Sequence, residues 1–215
     1  MSYRGSLPSI IRNDDNLYEG NLNHYFKVIF FQAQNLEKPY HNFRHMFHAL
    51  WLCYQACIYY RRELTVVEMR NLLIAIMFHD FDHPGLFGND DLNIERSVRA
   101  LEKHIAPEDR ASLEDIKYLM RATEYPHTSP SESLSLSGKI IRDADVAQGF
   151  STAWIQQVIF GLSSEWGKTP VDLLILQESF LRNLKFNTEW AQSMFPQSDI
   201  DAKIQESKEL LALLQ

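Results

Sequence analysis

An all-α fold is predicted for this 215-residue chain by three observations. Apolar residues recur at helical spacing almost throughout. Helix-start signatures precede several of these segments. No clean two-residue hairpin turn and few alternating runs occur, so strands are not required.

The elements follow in order. In residues 16–35, NLYEGNLNHYFKVIFFQAQN, one stripe holds Leu17, Leu22, Tyr25, Phe26 and Ile29, which predicts a helix. Residues 41–64 read as one long helix carrying Cys53 and Cys57. Two cysteines four apart on a regular helix are poorly placed to bridge each other, so buried thiols in a reducing cytosol are expected. Residues 65–79 open with Thr65 and Glu68, a capping box. Residues 107–123 open with Pro107 near the first helical position and acids in the first turn. Further helices are expected over 135–150, 152–166, 171–195 and 199–214. Loops are expected at 37–40, 82–90, 125–133 and 195–199. The second, rich in Gly, Pro and Asp, should be exposed and carry function. The whole reads as a single compact multi-helix domain, 1–215. Its parts are a helical lead-in over 1–38, a core over 39–196 and a C-terminal helix over 197–215.

A hydrophobic content of 45% and a charged content of 23% match an ordinary globular protein able to bury a sizeable core. The net charge of -7, with no basic block, argues against nucleic acid as a partner. An anionic substrate would need local help, such as a metal ion. No apolar run of about eighteen residues appears, so no membrane span is expected. The first residues, MSYRGSLPSIIRNDD, lack the apolar region of a signal peptide, so a cytoplasmic location is expected.

Chemistry-bearing side chains cluster in three places. In PYHNFRH, residues 39–45, His41 and His45 stand at i and i+4 and would share a helix face, with His48 continuing the stripe. In MFHDFDHPG, residues 77–85, an apolar segment ends in His79, Asp80, Asp82 and His83. Pro84 and Gly85 then stop the helix and let the chain reverse. Ionisable groups at the inner end of a core helix are costly unless compensated, and a divalent cation compensates Asp80 while orienting His79. In IIRDADVA, residues 140–147, Asp143 and Asp145 point apart on a helix, so at most one joins the site. Asp145 is the better candidate, and Asp143 is expected at the surface or behind the ligands. Imidazoles combined with carboxylates suit zinc and similar ions.

The order His45, His79-Asp80, Asp145 resembles that of the metal-dependent HD phosphohydrolase superfamily. More narrowly, the chain resembles a compact, bacterial-type catalytic domain of the class I cyclic-nucleotide phosphodiesterases. Tyr40 to His45 match the family's Tyr-His-Asn-x-x-His, and His79 to Gly85 match His-Asp-x-Asp-His-Pro-Gly. Leu101 to His104 are similar to Leu-Glu-Asn-His, Ala144-Asp145 to Ala-Asp, and Gln177 to Phe180 to Gln-x-x-Phe. The matches run in order over about residues 39–196. Four positions depart from the pattern. Gln148 stands where an Asn is expected, His48 where an Asp is usual, and Gly88, beside Asn89, where a loop Asn belongs. The acidic pair that orients the acid histidine should fall near Phe160-Gly161, and Glu165 is only a nearby candidate.

The resemblance implies an HD/PDEase-like all-α fold and a hydrolase that opens a 3',5'-cyclic nucleotide to its 5'-monophosphate. It implies two divalent metal ions. His45, His79, Asp80 and Asp145 would hold the first, zinc or iron. Asp80 would bridge to the second, a water-rich magnesium or manganese. His41 would be the general acid, His83 a supporting or phosphate-contacting group, and Glu102 an acceptor for a metal-bound water. Phe180 would stack on the base, Gln177 would bond its edge, and Tyr40 would contact the substrate. Two other readings stay open: an HD phosphohydrolase acting on another nucleotide or phosphate ester, and a non-catalytic helical sensor that keeps metal for stability.

Overall fold

The computed structural model describes residues 8–88, 90–127 and 130–214, and no β-strand occurs among them. The all-α expectation therefore holds. Helices α1 (Ser9–Arg12) and α2 (Asn23–Gln32) lead into α3 (Phe43–Tyr59), α4 (Val66–Phe78), α5 (Asp90–His104) and α6 (Leu113–Arg121). Then come α7 (Leu136–Val146), α8 (Ser163–Trp166), α9 (Pro170–Asn183), α10 (Glu189–Met194) and α11 (Gln197–Leu214). A 3-10 turn at Pro107–Ser112 precedes α6, and a π-helical stretch, Ile155–Leu162, precedes α8. Among the described residues no helix is long and apolar enough to cross a membrane.

Helix α4 is the axis of the molecule. Its residues from Met69 onward are all buried, and a helix without a polar face belongs inside. It packs against α3, α6 and α7. The capping box forms as expected: Thr65 accepts from the Glu68 N–H, and the Glu68 carboxylate accepts from the Thr65 N–H. The buried far end of α4 delivers His79 and Asp80 to the interior.

Three boundaries differ from the sequence reading. Helix α3 begins only at Phe43, because the Asn42 side chain caps it by accepting from the N–H groups of Arg44 and His45. His41 thus precedes the helix and does not share a face with His45. Helix α5 was not singled out in the sequence; it buries Asn93, Ile94, Ser97, Val98 and Leu101. The helix expected over 171–195 breaks between α9 and α10. There the Asp143 carboxylate accepts from Asn187 N at 2.8 Å, Asn187 Nδ2 at 2.6 Å, Thr188 N at 2.9 Å and Thr188 Oγ1 at 2.8 Å. Asp143 is accordingly buried, which corrects its expected surface position. Thr188 also caps α10.

One apolar core extends from Ile11 to Ile200 and includes Tyr18, Leu22, Tyr25 and Ile29 of the lead-in. Residues 1–7 of that segment, and Gln215 of the C-terminal helix, lie outside the described residues. A smaller cluster of Trp154, Val158, Ile159, Leu173 and Leu174 joins the π-helical stretch to α9, and α11 packs on α9. Cys53 and Cys57 are buried free thiols, and burial pushes the Cys57 thiol up to about 12.

Arg70 ties the lead-in to this core. Its buried guanidinium bonds Asp109 through Nε at 2.6 Å and Nη2 at 2.8 Å, and Nη1 donates to the Glu19 and Asn21 carbonyls. The Tyr25 hydroxyl donates to Asp109 Oδ2 at 2.6 Å. Asp109→Ala should therefore strand a buried cation and lower unfolding free energy by about 3–5 kcal/mol in a urea titration. Tyr25→Phe, which loses the bond to the charged Asp109 and the one accepted from the Ala106 N–H, should cost about 1.5–3 kcal/mol. A loss below that of Tyr25→Phe for Asp109→Ala would mean that the pair is not the anchor.

Candidate metal centre

Three segments converge at the end of α4. His79 terminates that helix, and its Nδ1–H donates to the Ile76 carbonyl at 2.7 Å. That bond assigns the proton to Nδ1 and leaves the Nε2 lone pair facing inward. His45 comes from the first turn of α3 and Asp145 from the last turn of α7.

The two Nε2 atoms lie 3.3 Å apart. Asp80 Oδ2 is 3.2 Å from His45 Nε2 and 3.1 Å from His79 Nε2. Asp145 Oδ1 lies at 3.2 and 3.1 Å from the same two atoms. In a tetrahedral site, metal–ligand bonds of about 2.0–2.2 Å put neighbouring ligand atoms about 3.3–3.6 Å apart. His45, His79 and Asp145 form a group able to hold a metal ion, and Asp80 Oδ2 lies against both of its ring nitrogens. Asp80 Oδ2 is also buried without a hydrogen-bond partner, as fits an oxygen reserved for a cation.

Electrostatics lead to the same point. Burial opposes a charge on His45, but the Asp145 and Asp80 carboxylates, each 3.2 Å from its ring, outweigh this and raise it to about 9. Burial also opposes a charge on His79, and Asp80 and Asp145 nevertheless hold it well above its ordinary value. Burial would raise Asp80, yet the neighbouring His79 and His41 hold its carboxyl well below the usual range. Asp145 is lowered too, against burial, mainly by His79. Two carboxylates packed on two imidazoles attract positive charge, whether protons or a metal.

A second group stands beside the first. His41 Nδ1 lies 2.6 Å from Glu165 Oε2, while Glu165 Oε1 accepts from the N–H groups of Tyr40 at 2.6 Å and His41 at 2.9 Å. Glu165 is thus the acid that orients His41. Its signal in the sequence is that no other acid occurs between Asp145 and Asp172. The π-helical stretch adds an extra residue to its turns and so resets the register of the chain that leads to Glu165. Two glycines allow the approach. Gly85, at φ +73°, would bring a Cβ within 3.0 Å of Glu165 Oε2, and a Cβ on Gly161 would lie 2.8 Å from the Pro39 carbonyl oxygen. Ligand-type atoms of His41, His83 and Glu165 lie within 4.8 Å of one another. The 2.6 Å between His41 and Glu165, however, is a hydrogen-bond separation with no room for an ion.

His83 stacks on His41 with ring centroids 3.6 Å apart. Its Nδ1 accepts from the Gly85 N–H at 3.0 Å, and Nε2 meets the Asn93 side chain at 3.0 Å. Burial lowers its pKa to about 4, so it is neutral near pH 7. His83 supports the His41 ring.

All these groups except Glu165 open onto one cavity of about 470 Å³. Tyr40, Gln177 and Phe180 line it, the last two from adjacent turns of α9. Exposed Phe87 meets Trp166 edge-on at its border, with centroids 4.9 Å apart. The loop over 82–90 is therefore mixed: Leu86 and Phe87 are exposed, whereas His83 and Gly85 are buried.

Glu102 does not belong here. It is absent from the cavity lining and lies two turns beyond Asn93 and Ile94, the nearest residues of α5 that line the cavity. There it is exposed and pairs with Lys117 at 2.7 Å. His48 does not line the cavity either; burial lowers its pKa to about 4. Gln148 is buried outside the cavity lining and donates to Ser151 Oγ.

The pH dependence has a definite sign. Stability contributed by His45 is fully present below its unfolded value of 6.5 and is lost as pH rises through about 9. Stability from Asp145 is present above its unfolded value of 3.8 and is lost as pH falls below it. The melting temperature of metal-free protein should fall between pH 6.5 and 9. Added zinc or manganese should raise it by an increment that grows over that interval, and Asp145→Ala should erase the increment. An increment independent of pH, or one retained by Asp145→Ala, would contradict the ligand assignment.

No protein-family model matches the chain, and no curated protein matches it significantly.

Proposed function

We propose that the protein is a metal-dependent phosphohydrolase of the HD type that hydrolyses a 3',5'-cyclic nucleotide to the 5'-monophosphate. One observation carries this reading: the four converging His and Asp atoms share a cavity with a carboxylate-oriented histidine and with the Gln177–Phe180 wall. The resemblance of those residues, in order along the chain, to the HD and phosphodiesterase motifs supports it too.

A phosphodiester anion repels an incoming hydroxide. A bound divalent ion supplies Lewis acidity and neutralises phosphoryl charge. His45, His79, Asp80 and Asp145 would hold zinc or iron, and Asp80 would also serve a second, oxygen-ligated magnesium or manganese. The protein's own contribution is proton delivery and orientation. Because His41 Nδ1 bonds Glu165, Nε2 is the atom left to carry a proton to the substrate. As the P–O bond breaks, its electron pair stays on the departing sugar oxygen, which takes that proton. His83 stacking and the backbone bonds to Glu165 keep the ring in place. Phe180 offers a face for the base, Gln177 an amide for its edge, and Tyr40 closes the side next to His41. A cytoplasmic setting for this small-molecule hydrolase is part of the proposal, in keeping with the two unbridged thiols.

The test is a substrate panel on metal-loaded protein: purine cyclic nucleotides, nucleoside monophosphates and bis(p-nitrophenyl) phosphate. Cyclic nucleotides should be turned over. His41→Ala should lower kcat by roughly 10²–10⁴-fold while metal stays bound. Phe180→Ala should weaken a purine cyclic nucleotide about tenfold and hardly change the generic diester, if a stacked ring contributes as aromatics do to nucleic-acid bases. Turnover of monophosphates alone would make the protein a phosphohydrolase of another specificity. Bound metal with no hydrolysis of any ester would make it a sensor.

A further inference from the structure

Asn35 lies in the link between α2 and α3, ahead of both histidine motifs, yet it is 1% exposed. Its carboxamide joins the two motifs. Nδ2 donates to the His41 carbonyl at 2.8 Å and to the Asp80 carbonyl at 2.9 Å. Oδ1 accepts from the Asp82 N–H at 3.1 Å. Both amide hydrogens meet carbonyls and the oxygen meets an N–H, so the amide has one orientation. Asp82 braces it in return, its Oδ1 accepting from the Gln34 N–H at 2.7 Å. Asp82 sits at φ 58°, a left-handed conformation that Asp and Asn tolerate better than other side chains.

Neither Asn35 nor Asp82 lines the cavity. Their effect must pass through the two carbonyls they join. One carbonyl belongs to the residue whose ring faces Glu165, the other to a residue of the His/Asp cluster. A planar amide holds these two backbones at a fixed separation.

We infer that Asn35, braced by Asp82, is a positioning residue that sets the spacing between proton-donating His41 and the ligand Asp80; the inference rests on the function proposed above. General-acid catalysis is sensitive to such spacing, because a misplacement of about 1 Å can cost about 10²-fold in rate. The effect should be confined to substrates that need protonation of the leaving group.

The experiment compares Asn35→Ala, Asp82→Ala and Asp82→Asn, each loaded with manganese. Asn35→Ala and Asp82→Ala should lower kcat on 3',5'-cyclic AMP about ten- to hundredfold. On bis(p-nitrophenyl) phosphate, whose leaving group needs little protonation, the change should stay below about threefold. Metal content should match the unaltered protein. Asp82→Asn keeps the acceptor for Gln34 and should restore the rate on cyclic AMP. A second readout needs no turnover. The His41 Nδ1–H, held 2.6 Å from Glu165, should give a downfield proton resonance, assigned by its loss in His41→Ala. It should shift or vanish in Asn35→Ala and Asp82→Ala and persist in Asp82→Asn. Equal losses on both esters, metal lost together with activity, or an unmoved resonance would overturn the inference. If the unaltered protein hydrolysed neither ester, the proposed function would fail, and the resonance would still decide whether Asn35 positions His41.

Discussion

The mutual approach of two imidazole nitrogens and two carboxylate oxygens at the buried end of α4 is the constraint on which the rest of the structure depends. Charged groups taken out of water cost several kcal/mol each unless they are paired. Here they are paired with one another, in a geometry that leaves Asp80 Oδ2 without a hydrogen-bond partner. Helix α4 can bring them inside because its later turns carry no exposed face. Helix α3 starts where Asn42 caps it, which puts His45 in the first turn rather than deeper in the helix. Helix α7 ends one residue after Asp145. The clustered side chains therefore sit at helix ends, where short changes of backbone direction can aim several of them at one point.

Around that point the backbone is packed closely, and glycines mark the contacts. Gly85 lets the Glu165 carboxylate lie against the turn after His83, and Gly161 lets the π-helical stretch lie against Pro39. The result is a histidine held by Glu165 at one ring nitrogen and by a neutral His83 across its face. It stands beside the His/Asp cluster but is not part of it. In the proposed mechanism, this separation would let one group bind a cation while the other moves a proton.

Local features were legible in the sequence, and tertiary ones were not. The His/Asp cluster was readable because His79-Asp80 follows an apolar run and precedes Pro84-Gly85, so the cost of burial is visible in the pattern itself. The Thr65–Glu68 cap depends only on neighbours along one helix. His41 was misplaced onto α3 because periodicity alone does not weigh Asn42 as a cap. Glu102 matched a motif in order, but α5 meets the cavity only through its first turns, and Glu102, farther along, pairs with Lys117 of α6. Asp143 reads only as a surface or supporting acid because its partners, Asn187 and Thr188, lie over forty positions away. Glu165, 124 positions from His41, was only a nearby candidate because the π-helical stretch shifts the register before it, and Asn35 reaches Asp80 across 45 positions with no local pattern to mark it.

The central claim is that His45, His79, Asp80 and Asp145 bind one divalent cation. The most direct measurement is an anomalous-scattering map at the absorption edge of zinc or manganese, from crystals grown with that metal. The account predicts a peak about 2.0–2.2 Å from His45 Nε2, His79 Nε2, Asp80 Oδ2 and Asp145 Oδ1. No peak at saturating metal, or a strong peak elsewhere with these four side chains still clustered, would contradict it.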